Sequence, residues 1–267
     1  MNVYYSFISG LPDLEFNPEA NFLLPDKFLA TLDEILPPDE LALANALSFP
    51  KYHREITAFV SGQAKEGELL PGFTGEVFHS ASERFAELPN YLQHLVTWKE
   101  NHRGEAPEVL VAHKLQQYYY SYLHTSGNLF LQEWAELELN RLNFLAAHRS
   151  EKLTDEKKQQ LIKGNSYHDL LVEYPLNQKI VRTEFWAAEK LEHILSKTNY
   201  LEREQDFDRL RWNAIDEINR FEYFTVNVIL GYYQKLLLLE RWKQVLSPES
   251  PVDPVAMAEK MMQEKQL

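Results

Sequence analysis

The chain contains no cysteine. That removes disulfide staples, thiolate metal sites and a cysteine nucleophile together, and it fits a reducing compartment. Glycine is scarce, nine in 267 residues. The glycine-built phosphate cradles and nucleophile elbows are missing with it: there is no G-x-x-x-x-G-K-[ST], no G-x-G-x-x-G and no G-x-S-x-G. Long apolar runs are missing too. The greasiest stretch, Val226 to Leu239, is interrupted by Asn227, Gln234 and Lys235 and falls short of the roughly 18 apolar residues that a membrane span requires. The start, MNVYYSFISGLPDL, lacks a basic leader and breaks at Gly10-Leu11-Pro12-Asp13 before an apolar core can form, so no secretion signal is expected. These absences predict a cytoplasmic protein without a direct membrane span.

Basic charge is nearly absent from the first forty residues, where eight carboxylates face Lys27 alone; the whole chain carries −13. Such a surface repels nucleic acid and anionic lipid and suits a basic protein partner. The plainer reading is a solvated acidic face that keeps the chain in solution. Asp33, Glu34, Asp39 and Glu40 are the candidates for partner contact.

What is abundant is leucine, 40 residues against 22 for valine and isoleucine together. Long unbranched side chains with few breakers favour helices over sheets. A chain of this length forms one large domain or two small ones and can bury roughly three quarters of its unfolded surface. The period rule predicts an all-α protein of about ten helices. Only NVYYSFIS alternates, at Val3, Tyr5 and Phe7, and it reads equally as an extended lead-in or a first helical turn.

Punctuation separates the helices. Pro25-Asp26 opens a helix that Pro37-Pro38 stops. Asp39 leads ELALANAL, closed before Pro50. KYHREITAFVSG ends at Gly62, a plausible C-terminal cap. GQAKEGELLPGFTGE (62–76) reads as a loop. Ser82 and Pro89 open two more helical stretches, and NHRGEAP (101–107) breaks the chain. Val109 to His148 is helical with a turn at SGN (126–128). LTDEKKQQLIKGN reads as a short helix from Thr154 to Gly164, and Ser166 caps another that Pro175 ends. Asn177 to Lys197 and Glu202 to Trp242 complete a body spanning 1–247, with possible divisions at 1–106, 107–165 and 166–247. In 248–267, three prolines form a spacer before Asp253-Pro254, an N-cap and N1 pair. Val255, Ala258 and Met262 give 254–265 a small apolar stripe, expected to be a mobile docking helix. A weak echo links NLFLQEWAELELNRL (128–142) with NVILGYYQKLLLLER (227–241), either a duplicated helical unit or chance likeness between leucine-rich helices.

Reagents are hard to find. None of the nine histidines lies in H-E-x-x-H, and Glu189 with His193 forms a lone pair on one helix, commonly a surface contact. Asp206 and Asp208 in DFDRLRW are two apart and point away from each other on a helix. No catalytic residue, metal or cofactor is expected. The aromatic clusters YYYSYL (118–123) and RFEYF (220–224) read as core packing before they read as the wall of a ligand pocket.

One stretch asks for an explanation. LELNRLNFLAAHR (137–149) is apolar on every side, as a helix enclosed by neighbours would be. Yet Glu136, Asn140, Asn143 and Ala147 fall at spacings of four, three and four, so the amides form one narrow stripe. Buried amides need partners. Backbone groups of an irregular turn or a neighbouring helix end are the simplest ones, which makes these residues organisers of helix docking.

The same stretch resembles the helix of the C-type subunit of V-type and A-type rotary ATPases (the d-type subunit in eukaryotes). There an acidic residue, an asparagine and a trailing Leu-Arg recur in each helical repeat. The matching positions are Glu138, Asn140 or Asn143, and Arg149. FDRLRWNAIDEINRFEYFTVNVILGYYQKLLLLERW (207–242) is similar to that family's last repeat. Leu236 to Leu239 stand where the family carries an acidic pair, and the chain is shorter than its usual members. Over nearly its full length the chain is closer to a short bacterial family of unknown function associated with V-type ATPase components, through YYSFISGLPDL, NLFLQEWAELELNRLNFLAAHR and LLLLERW. The resemblance implies a non-catalytic, all-α funnel that links the central shaft to the membrane rotor ring, within a complex that translocates ions. The competing readings are a helical enzyme or small-molecule binder with an aromatic pocket, and an interaction scaffold unrelated to ATPases.

Overall fold

Leucine-rich segments separated by proline, asparagine and glycine fold into helix after helix in the computed structural model. It describes residues 4–17, 19–63, 75–102, 107–148 and 161–246. Among these residues there are α-helices and short 3-10 turns and no strand, so the protein is all-α. In chain order the first helices are α1 (Tyr4–Ser9), α2 (Pro25–Ile35), α3 (Pro38–Ser48) and α4 (His53–Val60). Then follow α5 (Asn90–Asn101), α6 (Glu108–His124), α7 (Leu129–His148) and α8 (His168–Val172). The last four are α9 (Tyr174–Glu184), α10 (Ala188–Ser196), α11 (Tyr200–Ile218) and α12 (Val226–Val245).

The boundaries have local causes. Pro25 occupies the first turn of α2, where its missing N–H is no loss. Gly62 takes φ +80° beyond α4 and Gly127 takes φ +76° between α6 and α7, the left-handed conformation that ends helices. Asn128 caps α7 by accepting from Leu131 N–H at 3.0 Å. Asn199 caps α11 by accepting from Glu202 N–H at 3.2 Å and donates to the Glu202 carboxylate at 3.3 Å.

Several sequence expectations are revised. Of NVYYSFIS, which reads equally as an extended lead-in or a first helical turn, Tyr4–Ser9 forms helix α1. The stretch from Ser82 forms only a 3-10 turn at Phe85–Glu87. Pro175 does not end a helix; it sits in the first turn of α9, after the short α8. The segment 177–197 is broken at Phe185–Ala187, which separates α9 from α10. Residues 161–164 are irregular; Thr154 and the rest of that expected helix, Arg149, most of the 62–76 loop and the segment 248–267 lie outside the described residues.

The chain divides into two units. One is built from both its ends, through Leu47 and from Glu189 onward; the other is the continuous stretch Ser48–Ala188. In the first unit, α12 is packed by α2, α11 and α1. Phe28 of α2 is fully buried, its ring 5.2 Å from Tyr232 and 5.9 Å from Phe7. Burying a phenylalanine or leucine side chain in this way contributes about 1.5–3 kcal/mol. In the second unit, α6 is the central helix, covered by α4, α5 and α7, while α7 also meets α8 and α9. Val111, Leu115, Tyr119 and Leu123 run along the buried face of α6 at spacings of four. Among the described residues no helix is long and apolar enough to cross a membrane.

Candidate functional site

The amide stripe of α7 closes on the loop that leads into α8. Asn143, 1% exposed, donates through Nδ2 to the Ile162 carbonyl at 2.8 Å and accepts at Oδ1 from the Ile162 N–H at 2.8 Å. One side chain thereby satisfies both polar groups of a buried residue's backbone. The same Nδ2 lies 3.0 Å from Asn165 Oδ1. Asn140, 3% exposed, accepts from Asn165 Nδ2 and donates to Glu136 Oε1 at 3.0 Å. That carboxylate oxygen also receives the Ser166 N–H at 2.8 Å and the Ser166 hydroxyl. Ser166 is therefore bound to α7. Gly164, at φ +114°, turns the loop so that Asn165 and Ser166 can both reach the helix. Ala147, the last member of the stripe, is fully buried.

Glu138 is 2% exposed and points elsewhere on α7. Both its oxygens engage Arg141, at 3.2 and 2.9 Å. A buried carboxylate held by a forked guanidinium is a strong charge-assisted contact. Its charge also reaches the tyrosine cluster: the Tyr119 hydroxyl is pushed well above its ordinary range by burial first, then by Tyr120, Tyr91 and Glu138. Tyr119 packs edge-on to His53 at 4.8 Å and to Tyr91 at 5.5 Å. His53 is largely buried in this cluster, which pulls its pKa down to about 4.

A second buried carboxylate escapes a reading of the sequence. Asp208 of α11, 1% exposed, binds Arg211 at 2.9 Å, the Arg241 guanidinium, and the Trp242 indole N–H at 2.7 Å. It ties α11 to α12 through two different residues of the latter. Asp206, two positions earlier, turns away to pair with Lys197. Helical spacing separates the two aspartates correctly, but it gives no reason to look for arginine and tryptophan some thirty residues on. The signal present in the sequence is the Asp208–Arg211 spacing of three, which repeats the spacing of Glu138–Arg141.

The four acidic candidates near the start lie on α2 and α3. Asp33, Glu34 and Asp39 are exposed, whereas Glu40 is partly buried and accepts the Tyr4 hydroxyl. Burial, that bond and the charges of Glu40 and Asp39 push the Tyr4 pKa up to about 12. Three of the four thus face solvent, and the fourth holds α1. The aromatic cluster at 220–224 is another correction. Phe221 is 81% exposed and Tyr223 69% exposed, because the chain leaves helix between α11 and α12 and carries those rings outward instead of into the core. Phe224 packs on Tyr5 at 4.6 Å.

Among the described residues no group of three or more histidine, aspartate or glutamate side chains could hold a metal ion. Each carboxylate and amide named above in α7 and α11 is bound by donors or acceptors of the chain itself. No curated protein and no solved structure matches the chain. A family model described as protein of unknown function (DUF2764) matches residues 1–248, so the chain belongs to that family.

Proposed function

We propose that the chain is a non-catalytic coupling component of a V-type rotary ATPase, standing between the central shaft and the membrane rotor ring. The observation that carries this reading is the use of its buried polar groups. Glu136, Asn140 and Asn143 bind a loop to α7, and Asp208 binds α11 to α12. Saturated networks of this kind hold packed helices in one arrangement, which is what a part that passes torque requires. The resemblance of 137–149 and 207–242 to the C-type subunit of rotary ATPases is what supports a rotary ATPase as the machine. The exposed carboxylates Asp33, Glu34 and Asp39 suit basic loops of a rotor partner.

Affinity capture of the chain from native membranes tests the reading. Recovery of rotary-motor subunits is the expected outcome; their clean absence, with the chain itself recovered intact, overturns it in favour of an unrelated scaffold. A finer test reverses Asp33, Glu34 and Asp39 to lysine, sparing Glu40 because it anchors Tyr4. Rotor-ring binding is expected to weaken and to lose its salt dependence. Unchanged binding removes the acidic face from the interface.

A further inference from the structure

The first unit carries a groove that the clamps do not use. It has a volume of about 490 Å³ and is lined by the apolar Ile8, Leu11, Ile215 and Val228 together with the aromatic Trp212 and Tyr232. Three carboxylates border it, Asp13, Asp216 and Glu222, against one cation, Lys235. Lys235 is already committed: its ammonium pairs with Asp216 and lies 4.6 Å from the centre of the Trp212 ring. The balance left for a visitor is two negative charges, from Asp13 and Glu222. Glu222 is held in place through one oxygen, which accepts the Thr225 hydroxyl at 2.6 Å.

Two further observations say what the visitor is. Asn219 and Tyr232 both line the groove, and Asn219 Oδ1 and the Tyr232 hydroxyl are buried without a hydrogen-bond partner among the described residues. Asn219 Nδ2, by contrast, is bound to the Asn227 carbonyl at 2.9 Å. Asn219 Oδ1 can only accept, so it creates a demand for a donor, and the Tyr232 hydroxyl oxygen can accept one beside it. Beside the groove, Phe221 and Tyr223 flank Glu222 in the chain at 81% and 69% exposure. Tyr5, 56% exposed, packs on Phe224. Exposed aromatics grouped in this way mark a surface that another polypeptide covers, and a small free amine would leave them in water.

We propose that this groove and its aromatic rim bind a short segment of a partner protein, seating a lysine or arginine side chain against Asp13 and Glu222 while neighbouring apolar residues cover Phe221 and Tyr223. The site provides its own precedent, since Lys235 shows that an alkylammonium rests on Trp212 beside a carboxylate. A chain carrying −13 overall draws a basic segment by long-range attraction and repels a second copy of itself. The proposal rests on the groove's own chemistry and stands apart from the rotary assignment.

A displayed random-peptide library panned against the full chain, with enriched peptides titrated by fluorescence anisotropy, tests it. Enriched sequences are expected to pair lysine or arginine with an aromatic or aliphatic neighbour. Their affinity is expected to fall about tenfold or more in the F221A/Y223A variant, as for interface anchor residues. In D13N/E222Q it is expected to fall with a flattened salt dependence. All four positions are at or near the surface, and unchanged melting temperatures show that the variants fold. Absence of enrichment, enrichment of acidic peptides, or equal binding by wild type and both variants overturns the proposal. So does full competition by arginine amide at the peptide's own concentration, which assigns the groove to a small amine. Loss of peptide binding as the chain self-associates assigns the rim to a second copy and overturns it equally.

Discussion

Asn143 holds the Ile162 backbone by both its N–H and its carbonyl, so its removal strands two buried polar groups and leaves a gap. Asn143→Ala is expected to cost about 2–4 kcal/mol, read as a lower urea midpoint with an unchanged slope. Asn140→Ala, which frees Asn165 and Glu136 but strands no backbone group, is expected to cost less. Asp208→Asn keeps the shape and an acceptor for Trp242 but removes the charge facing Arg211 and Arg241; about 3 kcal/mol is expected. Glu222→Gln, at the surface, is expected to leave stability alone. His53 gives a pH dependence. Its folded pKa is about 4, below the ordinary unfolded value of about 6.5. The unfolded chain therefore takes up the proton first. Stability is level above pH 6.5 and falls as pH drops toward 4, by roughly 3 kcal/mol from this group. His53→Leu is expected to flatten that part of the denaturation profile.

At the scale of elements, helices are legible wherever an apolar period meets a breaker. Pro25, Gly62, Gly127 and Asn128 mark ends that the structure keeps. The departures have physical sources. Proline reads as a stop at Pro175, yet in the first turn it starts a helix as readily as it ends one. Aromatic content reads as burial at 220–224, yet whether a ring is covered depends on where the chain turns, and the turn between α11 and α12 sends Phe221 and Tyr223 outward. The need of Asn140 and Asn143 for partners can be read from a stripe of amides on a greasy helix. That the partners are Ile162 and Asn165, about twenty residues away, depends on a loop with no period to read. Gly164 makes that loop possible: among the described residues no atom crowds an added Cβ there, so it is its φ of +114° that resists substitution. Gly164→Ala is expected to cost about 1–3 kcal/mol by thermal melting, and more than Gly127→Ala, whose φ of +76° an asparagine could also adopt.

For the molecule as a whole, the division into units carries its own expectation. The stretch Ser48–Ala188 is continuous and has its own core around α6. Expressed alone, 48–188 is expected to melt cooperatively with helical circular dichroism, as an independent domain does. Deleting residues through Leu47 is expected to do the opposite, since it strips α1 and α2 from α12 and bares Phe28's neighbours Tyr232 and Tyr233. Dye binding to exposed apolar surface and loss of solubility would report it.

That split parentage also sets a timetable. About 140 residues separate Leu47 from Glu189, and at ribosomal speeds of about 5–20 residues per second they take roughly 7–30 s to emerge. Throughout that interval α2 lacks α12, the later-made helix it packs against, while the intervening segment is free to collapse on its own. The newborn chain is thus most in need of a chaperone at α2, and slowing translation of 48–188 should lengthen the wait and lower the yield.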